Sequence, residues 1–300
     1  MTDQLTQIDP DERRPDYLII GLEKAGTSWL TRMLSEHPEV SVCRPEVHFF
    51  TNIISGMRKK PEEFQAQLRR IYSQQVRDYF QDLESAVGTT DRKTLERRFL
   101  RRYNAFVQQF KSDDTRIVGE KTPKYVYCLR RIDRHCPGIK KICILRDHRD
   151  RLVSWHHHLR RYGREEELAI TDAEVKRYCN QMEREYNRMA AYEGSLFPLT
   201  YEQLSTNPRP VTKNMLAYLG VDTDPEIVDR VIEQSDFEAV TGRPRGVTDE
   251  GRHRRKGVVG DGTVELSIAQ QQQVVERLGN VTRQVGEKFG LDLSDYLKVA

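Results

Sequence analysis

Two patterns are missing from this chain: paired cysteines and long apolar runs. The five cysteines, Cys43, Cys128, Cys136, Cys143 and Cys179, are dispersed without CxxC spacing. That excludes a thiolate zinc knuckle or a disulfide framework and predicts reduced thiols in a cytoplasmic protein. No stretch approaches the ~20 apolar residues of a membrane span, and residues 1–15 are polar and acidic, unlike a signal peptide. These residues are expected to form a disordered tail before a single domain over 16–300. An excess of one charge is also missing. The 49 Lys+Arg and 46 Asp+Glu leave a net +3, which argues against a nucleic-acid binder driven by global charge. His156-His157-His158 does not make a metal site, because consecutive helical residues diverge by about 100°. No metal is expected.

What is present alternates between short apolar runs and helical patterns. Leu18-Ile-Ile20 before Gly21 suits a buried parallel strand. From Thr27, the residues Trp29, Leu30, Met33 and Leu34 share a helical face that ends at His37-Pro38. Long charged helices are predicted over 61–83 and 91–110, the second with a stripe of Leu95, Phe99, Tyr103, Phe106 and Phe110 that suits core packing. Strands are predicted at 116–119, 141–145 and 196–200. Helices are expected from Pro123 to near 136–138, from near Asp150, over 171–192, over 208–219 and over 265–289. Residues 240–263 lack periodicity and are expected to form a loop. Strands separated by helices imply an α/β fold, with a central parallel sheet covered on both faces and a P-loop-like topology.

The turn after the first strand, "YLIIGLEKAGTSWL", has the Gly21-x-x-x-x-Gly26 spacing of a phosphate loop. A triphosphate loop then requires Lys, but Thr27 and Ser28 stand there, and Lys24 lies inside the loop. The loop still suits an anion. The glycines let the backbone approach closely, and the amides of residues 25–28 open a helix whose positive end faces the ligand. No magnesium-holding carboxylate ends the strand "KICILRD", which presents Arg146 instead. The bland alternative is a strand–turn–helix with chance glycines.

Three further segments join this loop: "RPEVHFF" (44–50), "VGEKTPKYVY" (118–127) and "ILRDHRDRLVSWHHHLRR" (144–161). In this order the four resemble the PAPS-dependent sulfotransferases, and most closely the carbohydrate branch that includes the heparan sulfate O- and N-sulfotransferases. The resemblance implies PAPS (3′-phosphoadenosine 5′-phosphosulfate) as co-substrate, its 5′-phosphosulfate wrapped by the loop Leu22–Trp29. Lys24 falls on the bridging oxygen, and Ala25, Gly26, Thr27, Ser28 and Trp29 fall around the phosphate. Arg146 and Ser154 take the 3′-phosphate. Glu46 becomes the base that removes the acceptor proton, acting as the sulfuryl group departs or with a pKa raised by burial. His48, expected on the same strand face, orients or assists it. Lys121 stabilises charge on the leaving oxygen, and Glu120 has a structural duty, pairing with a neighbouring lysine. "YEQL" (201–204) is structural and near the cofactor. Arg255, Lys256 and Gly257 match a late loop that closes over the 3′-phosphate, although Gly262 stands where that loop has an aromatic.

Glu23 also departs from the family pattern, adding negative charge beside an anion site. The secretory carbohydrate enzymes carry a membrane anchor and a late disulfide that are not seen here, which weighs against a glycosaminoglycan substrate. The implied acceptor is a hydroxyl on a saccharide or a hydroxylated small molecule, framed by the helices of 61–110 and the basic loop 243–256. Two other readings stand beside this one: a P-loop kinase or NTPase acting on a small molecule, and a catalytically silent nucleotide-binding module.

Overall fold

The apolar run near the start of the chain becomes β1, Tyr17–Gly21, buried at every position. A strand without a polar face needs cover on both sides, which a parallel sheet flanked by helices provides. The computed structural model describes residues 13–57, 59–163, 169–249 and 256–299. Its further strands are β2 (Val40–Cys43), β3 (Ile117–Lys121), β4 (Lys140–Leu145) and β5 (Phe197–Thr200). They form a five-stranded sheet of order β2-β3-β1-β4-β5, with helices in the connections, so the expected α/β class is the one observed. The described residues fall into two compact units. One takes the described part of Met1–Ile20 with Pro38–Lys141, and the other Gly21–His37 with the described part of Ile142–Ala300.

In the first unit β3 pairs in parallel with β1, Leu18 opposite Glu120, and with β2, Cys43 opposite Glu120. Gly119 is required at this crossing, because a Cβ would lie 2.4 Å from the Tyr17 carbonyl oxygen. Helix Arg92–Gln108 starts where Asp91 accepts from the amides of Lys93 and Thr94. It buries Leu95, Phe99, Tyr103 and Phe106 of the expected stripe, and Tyr103 stacks on Phe49 with ring centroids 4.3 Å apart.

Three expectations in this unit are corrected. The strand β2 was not foreseen, because its four residues alternate polar and apolar too briefly to stand out. The predicted helix 61–83 is two helices, Pro61–Arg69 and Gln74–Gln81, with Ser73 capping the second through the Val76 amide. Residues 44–48 are not a strand. His48 has a left-handed backbone (φ 55°) and opens the π-helical turn Phe49–Ile53.

In the second unit β4 and β5 pair in parallel, Leu145 opposite Thr200. Helix His148–Arg161 begins two residues before the expected Asp150, because Asp147 caps it by accepting from the Arg149 amide. With helices Asp172–Ala190 and Ile268–Phe289 it encloses a core of Leu152, Val153, Trp155, Tyr178, Met182 and Leu278. Short helices Phe237–Thr241 and Asp261–Glu265 overlap the two ends of the stretch 240–263 expected as loop. Residues 1–12 of the expected tail, and Arg255, lie outside the described residues.

Candidate functional site

In the first unit the segment after β2 is fastened to the end of β3. Glu120 is fully buried and gathers four donors. Tyr103 Oη and Thr122 Oγ1 donate at 3.0 and 3.1 Å, the Val47 amide at 3.4 Å, and Tyr125 Oη more closely. Burial pushes the Glu120 carboxyl up, and the tyrosine hydrogen bonds offset only part of that rise. The Phe49 amide donates to Tyr125 Oη at 3.0 Å, and the His48 amide to Thr122 Oγ1 at 3.3 Å. Every backbone donor of Val47–Phe49 is thereby held on β3 or the turn after it, and this fixes where Glu46 and His48 stand. The expected lysine partner of Glu120 is instead the partner of Glu46.

The Glu46 carboxylate is 36% exposed. One oxygen receives Lys121 Nζ in a short contact, and the other lies 3.4 Å from His48 Nε2. His48 Nδ1 is 3.3 Å from Thr51 Oγ1, which leaves Nε2 for Glu46. Burial raises the Glu46 carboxyl, but the hydrogen bond from His48 and the charge of Lys121 together hold it down at about 2. Of the two expectations for this carboxyl, the one of a pKa raised by burial is therefore corrected: Glu46 is an ion-paired carboxylate. The three sequence-predicted residues Glu46, His48 and Lys121 do come together, through the left-handed turn at His48 and not through a shared strand face.

In the second unit the turn after β1 forms a cradle. The Leu22 amide donates to the Ile144 carbonyl at 2.9 Å and the Ala25 amide to the Leu22 carbonyl at 3.2 Å. Lys24 (φ 62°) and Gly26 (φ 108°) both take left-handed backbones. At Gly26 a Cβ would lie 2.8 Å from the Tyr201 ring, so the backbone can approach closely there only because the residue is glycine. Helix Thr27–Ser35 then starts with no side-chain cap, and its first-turn amides suit an anion. Ala25 and Thr27 are buried, while Lys24, Gly26, Ser28 and Trp29 are partly exposed. Glu23 is held at both its carboxylate and its carbonyl. Its carboxylate accepts from Gln181 Nε2 at 3.3 Å, and its carbonyl accepts from Arg151 Nε at 3.1 Å.

Arg146 leaves the end of β4 with its guanidinium 4.3 Å over the Tyr201 ring. Its Nη2 donates to Asp150 at 3.1 Å and to the Val258 carbonyl at 2.9 Å. Its Nε is buried and has no hydrogen-bond partner among the described residues. An orphaned buried donor on a fixed arginine fits an anionic oxygen that arrives with a ligand. Ser154 is partly exposed about two turns along helix His148–Arg161. Trp29 meets Tyr201 edge-on at 5.3 Å. In the late loop, Lys256 pairs with Asp261 at 3.1 Å and Glu265 at 3.4 Å, and Gly257 (φ 69°) packs against Phe237 so tightly that a Cβ would lie 2.3 Å from its ring.

Arg245 was missed by sequence reasoning. It donates to the Gly257 carbonyl at 2.7 Å and lies 5.6 Å over the Trp29 ring, joining the late loop to the cradle. Nothing periodic or motif-like marks it in the sequence. Among the described residues there is no cluster that could hold a metal ion and no helix long and apolar enough to cross a membrane. The five cysteines are free and buried.

Residues 15–225 match the family model described as the sulfotransferase family. Similar solved structures include a sulfotransferase from Alicyclobacillus acidocaldarius (TM-score 0.58, 20% identity, 95% of this chain and 99% of that one). Mouse sulfotransferase SULT7A1 complexed with PAP gives TM-score 0.54 at 15% identity, over 95% of this chain and 90% of that one. Sulfotransferase STF9 from Mycobacterium avium gives 0.51 at 12% identity, over 94% and 78%. At such identities the likeness is one of fold. A search of curated proteins gives no match to this chain.

Proposed function

The chain belongs to the sulfotransferase family, and on that premise we propose that it transfers the sulfuryl group of PAPS to an acceptor hydroxyl. The acceptor oxygen attacks sulfur, the bond from sulfur to the phosphate oxygen breaks, and adenosine 3′,5′-bisphosphate leaves. The observation that carries this reading is Glu46 held between Lys121 and His48. A carboxylate of pKa about 2 is a weak base for an alcohol. It accepts the proton as the S–O bond forms, when the alcohol has become acidic. Lys121 and Lys24 supply positive charge for the leaving phosphate oxygen. His48 holds the orientation of Glu46.

The nucleotide roles follow the second unit. Ala25, Gly26, Thr27 and Ser28 receive the 5′-phosphosulfate on backbone amides and hydroxyls, with Trp29 beside them. Arg146 and Ser154 take the 3′-phosphate, with Lys256, Gly257 and Arg255 from the late loop. The orphaned Arg146 Nε supports this, as does the PAP bound by the mouse relative. We further propose a saccharide or hydroxylated small molecule as acceptor, the kinship with the carbohydrate branch resting on the four segments at 21–28, 44–50, 118–127 and 144–161 in their order. The free, buried thiols support a cytoplasmic enzyme.

Calorimetry with adenosine 3′,5′-bisphosphate and turnover of pooled hydroxyl acceptors with labelled PAPS test the reading together. Binding and label transfer are expected, with transfer lost and binding kept in Glu46→Gln. Absence of nucleotide binding, or magnesium-dependent ATP hydrolysis in its place, sinks it. Transfer undiminished in Glu46→Gln removes Glu46 from its role.

A further inference from the structure

The late loop and the helix after Arg146 meet at one carboxylate. Asp150, in the first turn of helix His148–Arg161, is 2% exposed. Its Oδ1 accepts from the Gly262 amide at 2.7 Å. Its Oδ2 accepts from the Gly260 amide at 2.9 Å and from Arg146 Nη2 at 3.1 Å. Three donors and the positive end of a helix offset its charge, so Asp150 acts as a fixed hub more than as an anion facing a ligand. The Val258 carbonyl ties Arg146 to the same loop a second time.

Gly262 makes the hub possible. A Cβ there would lie 2.4 Å from Arg149 Cβ and 2.7 Å from the Asp150 amide nitrogen. Any side chain at this position would therefore push the loop off Asp150, which gives a physical reason for glycine where the resembled loop has an aromatic. Among the described residues, Arg146 spends Nη2 on this anchorage and leaves Nε without a partner.

We propose that Asp150 and Gly262 are positioning residues that set the preference for a nucleotide bearing a 3′-phosphate, by locking the Arg146 guanidinium and the 258–262 loop in register. Neither touches the nucleotide; both act through Arg146. The inference rests on the anion-binding role proposed for Arg146 and goes beyond it by naming what fixes the specificity.

The test compares calorimetric affinities of the full chain for adenosine 3′,5′-bisphosphate and adenosine 5′-monophosphate. The wild-type chain is expected to favour the bisphosphate. Asp150→Asn removes the charge and one acceptor oxygen at nearly constant size. Gly262→Ala leaves every charge in place and displaces the loop. Each is expected to lower the preference ratio by about tenfold, with the affinity for the monophosphate held within about twofold. Should Asp150→Asn fail to fold, Gly262→Ala carries the comparison alone. A merely structural role lowers melting temperature and both affinities together, and an unchanged ratio in a folded variant overturns the proposal. A ratio that rises in Asp150→Asn also overturns it, since the carboxylate would then oppose the phosphate. Equal wild-type affinities overturn the Arg146 reading itself, and that result appears before any variant is compared.

Discussion

Glu46 sits below the ordinary carboxylate range, at about 2, because His48 and Lys121 favour its ionised form over the opposing effect of burial. A folded pKa below the unfolded value of ~4.3 means a stabilising contribution complete above about pH 4.3 and lost as pH falls through about 2. Glu46→Gln is therefore expected to be less stable than wild type at pH 7, with the gap closing on acidification. Denaturant titrations across pH check this, and a gap that widens below about pH 4 contradicts it. The same shift bears on rate. Glu46 is ionised throughout the working range, so as the proposed base it should give kcat/KM no acid limb above about pH 3, whereas Lys121→Met, which removes one of the two lowering partners, should shift that limb to higher pH on its residual activity. If Glu46 is the proposed base, Glu46→Gln should cost about 10²–10⁴ in kcat. Glu46 and Lys121 were legible from their motifs, but their pairing was not. The motifs give residue types, and only the fold shows that Glu120 is sealed inside by two tyrosines while Lys121 turns to Glu46.

Among the elements, the glycine turn after β1 was the most legible, because its glycine spacing is local, although Ile144, Arg151 and Tyr201 hold it from far along the chain. Gly26→Ala combines a left-handed backbone (φ 108°) with a contact of 2.8 Å to Tyr201. It is expected to destabilise by roughly 1–3 kcal/mol and to weaken adenosine 3′,5′-bisphosphate binding more than Thr31→Ala on the same helix does. Melting curves paired with calorimetry read both effects, and a stable variant with intact binding would remove Gly26 from the cradle. The segment 44–50 was the least legible. Its alternating letters resemble a strand, yet the backbone donors of Val47–Phe49 find Glu120, Thr122 and Tyr125 rather than a neighbouring strand. Satisfying those donors bends the chain at His48. Glu120→Gln places an amide N–H₂ or a weaker acceptor among four donors, and should cost about 1–3 kcal/mol along with activity. Because burial raises the Glu120 pKa, wild type loses stability as pH climbs above the unfolded value of about 4.3 and the glutamine variant does not, so their difference should shrink as pH rises.

At the scale of the molecule, the glycine turn after β1 is supported by a buried ion pair. Arg151 and Glu185 are 0% and 1% exposed and meet at 2.6 Å. Arg151 also donates to the Glu23 carbonyl, and Gln181 reaches both Glu23 and Glu185. Removing one partner strands the other charge in the interior, so Arg151→Met is expected to cost about 3–5 kcal/mol, and Arg151→Met/Glu185→Leu to recover most of it. Urea unfolding of the four proteins of that cycle decides it, and additive losses would show that the pair does not couple. Glu23, unaccounted for by the motif, is explained by this network: its backbone and carboxylate are handles for Arg151 and Gln181. The sequence by itself determined the α/β class, the glycine turn after β1 and the residue types gathered at the candidate site, because each is written in short-range spacing or periodicity. Only the tertiary structure decided that Glu46 is paired with Lys121, that Arg146 is tied to the Val258 carbonyl with Nε left unpartnered among the described residues, and that Gly262, packed against Arg149 and Asp150, must be glycine. Those facts depend on which distant residues bury one another's polar groups, and no local pattern encodes that choice.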